Sequence, residues 1–226
     1  MSNKQAYFVT GTDTGVGKTM ISSLLVRQFA QRGLRSVGMK PVASGCERRD
    51  GQLISEDVTQ LLAASNVDLP LADINPYAFE PAIAPHIAAK QAGVQIDLDH
   101  IQSAFQRLQA HADVVIVEGA GGFYVPLDDE HDIADLAVKL DLPVILVVGM
   151  RLGCINHALL TAAAIQQRGL NLAGWVANQV DTDMAMLEEN LQTLRLRMPA
   201  AYLGFVAWMG PSDNTDTTDI VSELLK

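Results

Sequence analysis

Lys18 and Thr19 close the stretch VTGTDTGVGKT (residues 9–19), and a lysine-threonine pair behind closely spaced glycines is chemistry for a polyphosphate. Backbone N–H groups curl toward the anion and a helix N-terminus stands behind them. The lysine reaches the outer phosphates and the threonine hydroxyl ligates Mg²⁺. The usual loop reads G-x-x-x-x-G-K-[ST], which calls for a first glycine at position 12. That position is Thr12, and Gly11 stands one residue early. The chemistry tolerates the shift, because Gly15 and Gly17 allow close approach without a side chain. The plainer alternative is a tight strand-to-helix turn with an exposed lysine. The order strand, glycines, Lys-Thr, helix favours a bound nucleotide.

Other chemistry-bearing residues also follow predicted strands. In VVIVEGAGG, Glu118 ends a buried apolar run, where an acid holds Mg²⁺ directly or through water. The alternative is an acid facing solvent. In GMKPVASG, Lys40 closes a strand with Ser44 a few residues on, and a fixed cation there neutralises developing phosphoryl charge. On spacing alone, a surface lysine fits equally well. Asp57 offers a second Mg²⁺ carboxylate, although acids in a first helical turn also complement the helix dipole. Asn178 ends a strand, and its carboxamide matches the donor–acceptor edge of adenine; alone, such a residue is more often part of a turn.

These positions need a scaffold. Apolar runs alternate with helical patterns, the mark of a parallel sheet with crossover helices. Strands are predicted at 6–11, 35–42, 113–122, 143–149, 172–179 and 201–207. Helices are predicted at 18–33, 55–65, 97–111, 132–140, 155–169, 184–198 and 217–225. Residues 66–96 carry Pro70, Pro76, Pro81 and Pro85 and are read mostly as loop. Continuous Val/Ile/Leu runs suit strands covered on both faces. The expectation is an α/β protein: one doubly wound, mostly parallel sheet with helices on both faces, spanning residues 1–226 as a single domain. Ligands of such sheets bind outside the strand carboxyl ends, so Gly11, Lys40, Glu118, Gly149 and Asn178 describe one crevice.

Composition narrows the function. The 226 residues are 49% hydrophobic, enough for one core and short for two. A net charge of −10 argues against nucleic acid as a partner. No apolar run approaches the roughly 20 residues of a membrane span. The strand pattern begins near Tyr7, leaving no room for a signal peptide, and Cys46 and Cys154 read as reduced thiols; the expected setting is cytoplasmic. His86, His100, His111, His131 and His157 lack metal spacing. Trp175, Met184 and Met186 read as packing residues, and Trp208 is a candidate to flank a base.

Taken together, GTDTGVGKT, KPVASG, VEGAGG, VILVVGMRLGCINHALLT and LAGWVAN resemble the dethiobiotin synthetase family over residues 6–210, including the early glycine. The resemblance implies a P-loop NTPase-like fold and an ATP-dependent cyclo-ligase. Its substrates would be 7,8-diaminopelargonate, carbon dioxide and MgATP. One amine becomes a carbamate, its oxygen attacks the γ-phosphoryl group, and the second amine closes the ureido ring. By the same resemblance Gly15, Val16, Gly17, Lys18, Thr19 and Met20 cup the phosphates. Thr19, Asp57 and Glu118 gather Mg²⁺, and Lys40 acts in catalysis with Lys18. Thr14 and Ser44 position the substrate, and Glu118, Gly119, Ala120 and Gly121 skirt the nucleotide. Asn178 and Gln179 read adenine, with Ala207, Trp208 and Met209 closing the base pocket. Gly153, Cys154 and Asn156 hold the substrate carboxylate across a homodimer interface.

Two departures bear on nucleotide selectivity: Gly15 stands where many members carry glutamate, and the segment from Met209 differs from the expected base pocket. The competing classes are a paralogue acting on another diamine and a partition-type P-loop ATPase switch. The switch loop would carry a lysine where this chain has Asp13.

Overall fold

The structure is a computed structural model, and it describes residues 4–208 and 218–226. The apolar strand β1 (Gln5–Gly11) runs into the glycine loop, and α1 (Lys18–Gln31) starts directly behind it. β2 (Ser36–Met39) stops before Lys40-Pro41, and β3 (Val42–Ser44) belongs to a separate small sheet. The expected single strand over 35–42 is therefore broken at its proline, which fixes φ and offers no N–H to the ladder.

A hairpin of β4 (Glu47–Arg49) and β5 (Gln52–Ile54) turns through Asp50-Gly51, both at positive φ. Helix α2 (Glu56–Ala64) follows, capped by Ser55, whose hydroxyl accepts the Val58 N–H at 3.2 Å. The expected loop at 66–96 instead contains α3 (Leu71–Ile74), β6 (Tyr77–Phe79) and α4 (Pro85–Ala92). Pro85 starts an element rather than breaking one: it occupies the first turn of α4, where a missing N–H costs nothing. The chain continues as α5 (Leu98–His111), β7 (Val114–Gly122), α6 (Ile133–Leu140), β8 (Val144–Met150) and α7 (Cys154–Gln167). It ends with β9 (Leu172–Gln179), α8 (Leu187–Arg197), β10 (Tyr202–Val206) and α9 (Ile220–Leu224).

The main sheet has the order β10-β9-β8-β1-β7-β2, and every neighbouring pair in it is parallel. Side chains alternate between its faces, as the period of a strand requires. Phe8, Val115, Val117 and Leu146 pack beneath α5, α6 and α7, while Val9, Ile116, Ile145 and Val147 pack beneath α1 and α9. The sheet is doubly wound as expected. From β1 the chain crosses past β7 to reach β2; from β7 it crosses past β1 to reach β8. The carboxyl end of β1 is thus the point where the winding changes direction, the usual ligand position of such sheets.

Candidate active site

The β1–α1 loop is shaped from beneath as well as by its own glycines. Gly15 and Gly17 take φ of 72° and 87°, left-handed conformations that side-chain-bearing residues avoid. Gly17 is also the N-cap of α1, so the first-turn N–H groups face the loop without a capping side chain. Asn178 of β9 is buried under this turn, and its Nδ2 donates to the Val16 carbonyl at 2.8 Å. A Cβ at Gly17 would lie 2.1 Å from that nitrogen. On the other side, the Thr12 N–H donates to the Val147 carbonyl of β8 at 3.0 Å.

Lys18 folds back over the loop, donating from Nζ to the Asp13 carbonyl at 3.0 Å. Burial lowers its pKa to about 8, with help from the neighbouring Lys40 cation and against the pull of Glu118, Asp57 and Asp13. The loop thus holds a desolvated cation and a fan of N–H donors, an arrangement that rewards an arriving anion.

Next to it lies a dense cluster of charge. Glu118 projects from β7 opposite Val9 and is 1% exposed. The apolar run ends at Glu118, and the strand continues through the glycines to Gly122, in line with the predicted span of 113–122. Glu118 Oε1 accepts from Lys40 Nζ at 2.6 Å and from Thr19 Oγ1 at 2.8 Å. Lys40, 4% exposed, also reaches Asp57 Oδ2 at 2.9 Å and the Gly119 carbonyl at 3.3 Å. Burial pulls the Lys40 pKa down, but the two carboxylates outweigh it and the net direction is up. For Asp57 burial pushes the pKa up, and Lys40, Thr19 and Lys18 together bring it below the ordinary value.

This cluster fits a hard divalent cation. Glu118 Oε2 is buried and has no hydrogen-bond partner, and the Thr19 hydroxyl lies between the two carboxylates. Among the described residues no group of three or more His, Cys, Asp and Glu side chains could hold a metal. Mg²⁺ does not need one, since it takes one or two carboxylates and fills its shell with phosphate oxygens and water.

Beside Lys40 opens a cavity of about 500 Å³. Thr14, Lys40, Ser44 and Asp57 give it polar groups, while Val42, Ala82, Ile83, Pro85 and Val125 give it an apolar wall. Ser44 Oγ is buried there without a partner. Ala120 and Gly121 complete the rim, and a Cβ at Gly121 would fall 2.7 Å from Val125 and 3.4 Å from Thr14 Oγ1. Two further grooves around Asp128 and His131 share no lining residue with this cavity.

Not every predicted site residue meets here. Gly153, Cys154 and Asn156 lie at the start of α7 and do not line the cavity; Cys154 is buried and Asn156 exposed. Ala207 and Trp208 follow β10 and are exposed, with the Trp208 N–H donating to Gln179 Oε1 at 3.2 Å. Met209 lies outside the described residues. Two groups went unread in the sequence. The apolar wall at Ala82–Pro85 carries no chemical signal. Arg151 does: it is the first charged residue after β8, the same mark that singled out Lys40 after β2. Its Nη2 donates to Asp13 Oδ2.

A parallel sheet with a glycine loop at its winding switch, a Lys-Thr pair opening the next helix and an acid on the adjacent strand define a P-loop nucleotide-binding protein. Solved structures agree on the fold. A ParA family ATPase from Chlorobium tepidum superposes with a TM-score of 0.57 at 15% identity, covering 100% of this chain and 99% of that one. The MinD cell division protein of Aquifex aeolicus gives 0.53 at 14% identity, covering 97% and 86%. A family model described as an AAA domain matches residues 5–216. The chain is 53% identical to the ATP-dependent dethiobiotin synthetase of Aromatoleum aromaticum, over 94% of this chain and 95% of that protein. It is 51% identical to that of Nitrosospira multiformis, over 99% and 96%. The chain belongs to the ATP-dependent dethiobiotin synthetase family and is an ATP-dependent ligase.

Proposed function

We propose that the chain, acting as one domain over residues 1–226, carboxylates 7,8-diaminopelargonate with carbon dioxide and closes the ureido ring. The products are dethiobiotin, ADP and phosphate. The observation that carries this reading is a cavity, polar on one side and apolar on the other, that is lined by Lys40, with the Lys18 cation near enough to Lys40 to feel its charge. A diamine on an alkyl chain needs both kinds of wall.

The residues divide the work. An alkylamine is mostly protonated near pH 7 and then cannot attack carbon dioxide. Lys40 on the cavity wall, with Lys18 nearby in the phosphate loop, disfavours that ammonium and favours the carbamate anion. Thr14 and the unpaired Ser44 hydroxyl orient the carbamate. Its oxygen attacks the γ-phosphorus, ADP departs, and a mixed carbamic–phosphoric anhydride results. The second amine attacks the carbonyl carbon, the ring closes, and phosphate leaves with the carbamate oxygen. The apolar wall of Val42, Ile83 and Val125 keeps water from the anhydride. Lys18 and the loop N–H groups from Gly15 to Met20 align the phosphates, and Lys40 meets the charge that develops.

Thr19, Asp57 and Glu118 would hold Mg²⁺, which when bound neutralises charge on the phosphate oxygens. For the base, Asn178 Oδ1 is a buried acceptor without a partner, suited to the amino group of adenine. Gln179, Ala207, Trp208 and Met209 would complete that pocket. A homodimer is part of the proposal: Gly153, Cys154 and Asn156 do not line the cavity beside Lys40, and Leu152 and Leu160 beside them are 93% and 62% exposed. The switch reading is disfavoured at Asp13, where a lysine would face Arg151.

The test is incubation with 7,8-diaminopelargonate, MgATP and labelled bicarbonate. Acid-stable label in a cyclic urea, with one phosphate per ring, is expected. ATP binding without any incorporation would overturn the reading.

A further inference from the structure

The two halves of the phosphate loop are held by different supports. Residues 16 and 17 rest on Asn178 through the Val16 carbonyl, and α1 grows directly from them. Residues 12–14 are held otherwise. The Asp13 carboxylate bridges two donors: Oδ1 accepts the Thr14 N–H at 2.7 Å, and Oδ2 accepts Arg151 Nη2. The Arg151 carbonyl in turn accepts the N–H of Cys154 at 3.0 Å, fixing the turn that presents the guanidinium. Thr14, the end of this chain of contacts, lines the cavity beside Lys40 and Ser44.

We propose that Arg151 and Asp13 are a positioning pair that sets Thr14 against the diamine without touching the phosphates. The proposal rests on the function given above. Both side chains are partly exposed, at 40% for Arg151 and 47% for Asp13, so the pair contributes little to folding. Its value lies in placement, because small displacements of a positioning group cost rate steeply. One guanidinium nitrogen meets one carboxylate oxygen, a single contact that a lysine ammonium can partly replace.

Steady-state kinetics of Arg151→Ala, Asp13→Asn, Arg151→Lys and the double variant test it, alongside ATP affinity by equilibrium dialysis. The KM for the diamine should rise about tenfold in Arg151→Ala, with ATP affinity within about twofold of wild type. Arg151→Lys should recover much of that loss. Asp13→Asn combined with Arg151→Ala should be no worse than Arg151→Ala alone, the signature of one shared interaction. An unchanged diamine KM, additive losses, or equal losses in diamine and ATP binding would overturn the pair. Wild-type protein without diamine turnover would remove the functional reading and this inference together; wild-type turnover matched by Arg151→Ala would remove this inference alone.

Discussion

Replacing Lys40 by methionine separates the stabilising and the chemical work of one side chain. Lys40 and Glu118 form an ion pair at 2.6 Å, and their side chains are 5% and 0% exposed. Deleting one partner of such a pair leaves a buried charge and typically costs about 3–5 kcal/mol. The Thr19 hydroxyl stays on Glu118 Oε1, and Asp57, with its side chain 43% exposed, is solvated by water. The cost therefore falls near the lower end, about 3 kcal/mol. For a chain of this length that corresponds to roughly 6–12 °C in melting temperature. Thermal unfolding of the ligand-free protein by circular dichroism reads it. Adding Glu118→Gln removes the stranded charge, so the double variant should regain most of the lost stability. Turnover should not return: Lys40→Met alone removes about 2–4 kcal/mol of charge stabilisation in the transition state, roughly 30- to 1,000-fold in rate, and Glu118→Gln further removes a carboxylate proposed to hold Mg²⁺. A single variant melting within about 2 °C of wild type, where about 6–12 °C is expected, would refute the buried-pair argument. So would a double variant whose losses simply add.

Lys18 predicts a proton linkage. Its folded pKa of about 8 lies below the ordinary 10.5, so between those values the unfolded chain binds more protons and stability rises with pH. A bound triphosphate favours the ammonium, and ATP binding at pH 8 should take up roughly half a proton. Calorimetry in two buffers of different ionisation heat measures this; no uptake by wild type, or equal uptake by Lys18→Met, would contradict it. Gly17→Ala combines φ of 87° with a Cβ placed 2.1 Å from Asn178 Nδ2, and should weaken ATP binding by at least about tenfold. Tight ATP binding by this variant, measured by equilibrium dialysis, would show that the turn is not held as described.

The sequence showed the half of the site that rests on local chemistry. Strand, glycines and Lys-Thr located the loop because backbone geometry and residue type are coupled there. Lys40 and Glu118 stood out as charges against apolar strands, and the sheet's winding explains why they meet. The region 66–96 was misread because proline was taken only as a breaker, whereas Pro85 opens a helix. The hairpin at 47–54 carried a readable signal in Asp50-Gly51, a favoured turn pair. The wall at Ala82–Pro85 was silent, since apolar residues in a cavity look like any others. Asn178 shows a third case: read as a base-contacting residue, it also supports the loop from below, a tertiary contact across 162 residues that no local pattern encodes.

Transfer of oxygen from labelled bicarbonate to phosphate tests the central claim most directly. Two lysines are held to align a triphosphate with a carbamate, whose own oxygen attacks phosphorus. With ¹⁸O-bicarbonate and the diamine, analysed before exchange with water, each phosphate released should carry one labelled oxygen from the carbamate. Phosphate without label, formed while the ring still closes, would mean that water or another group attacks phosphorus, and the proposed alignment would be wrong.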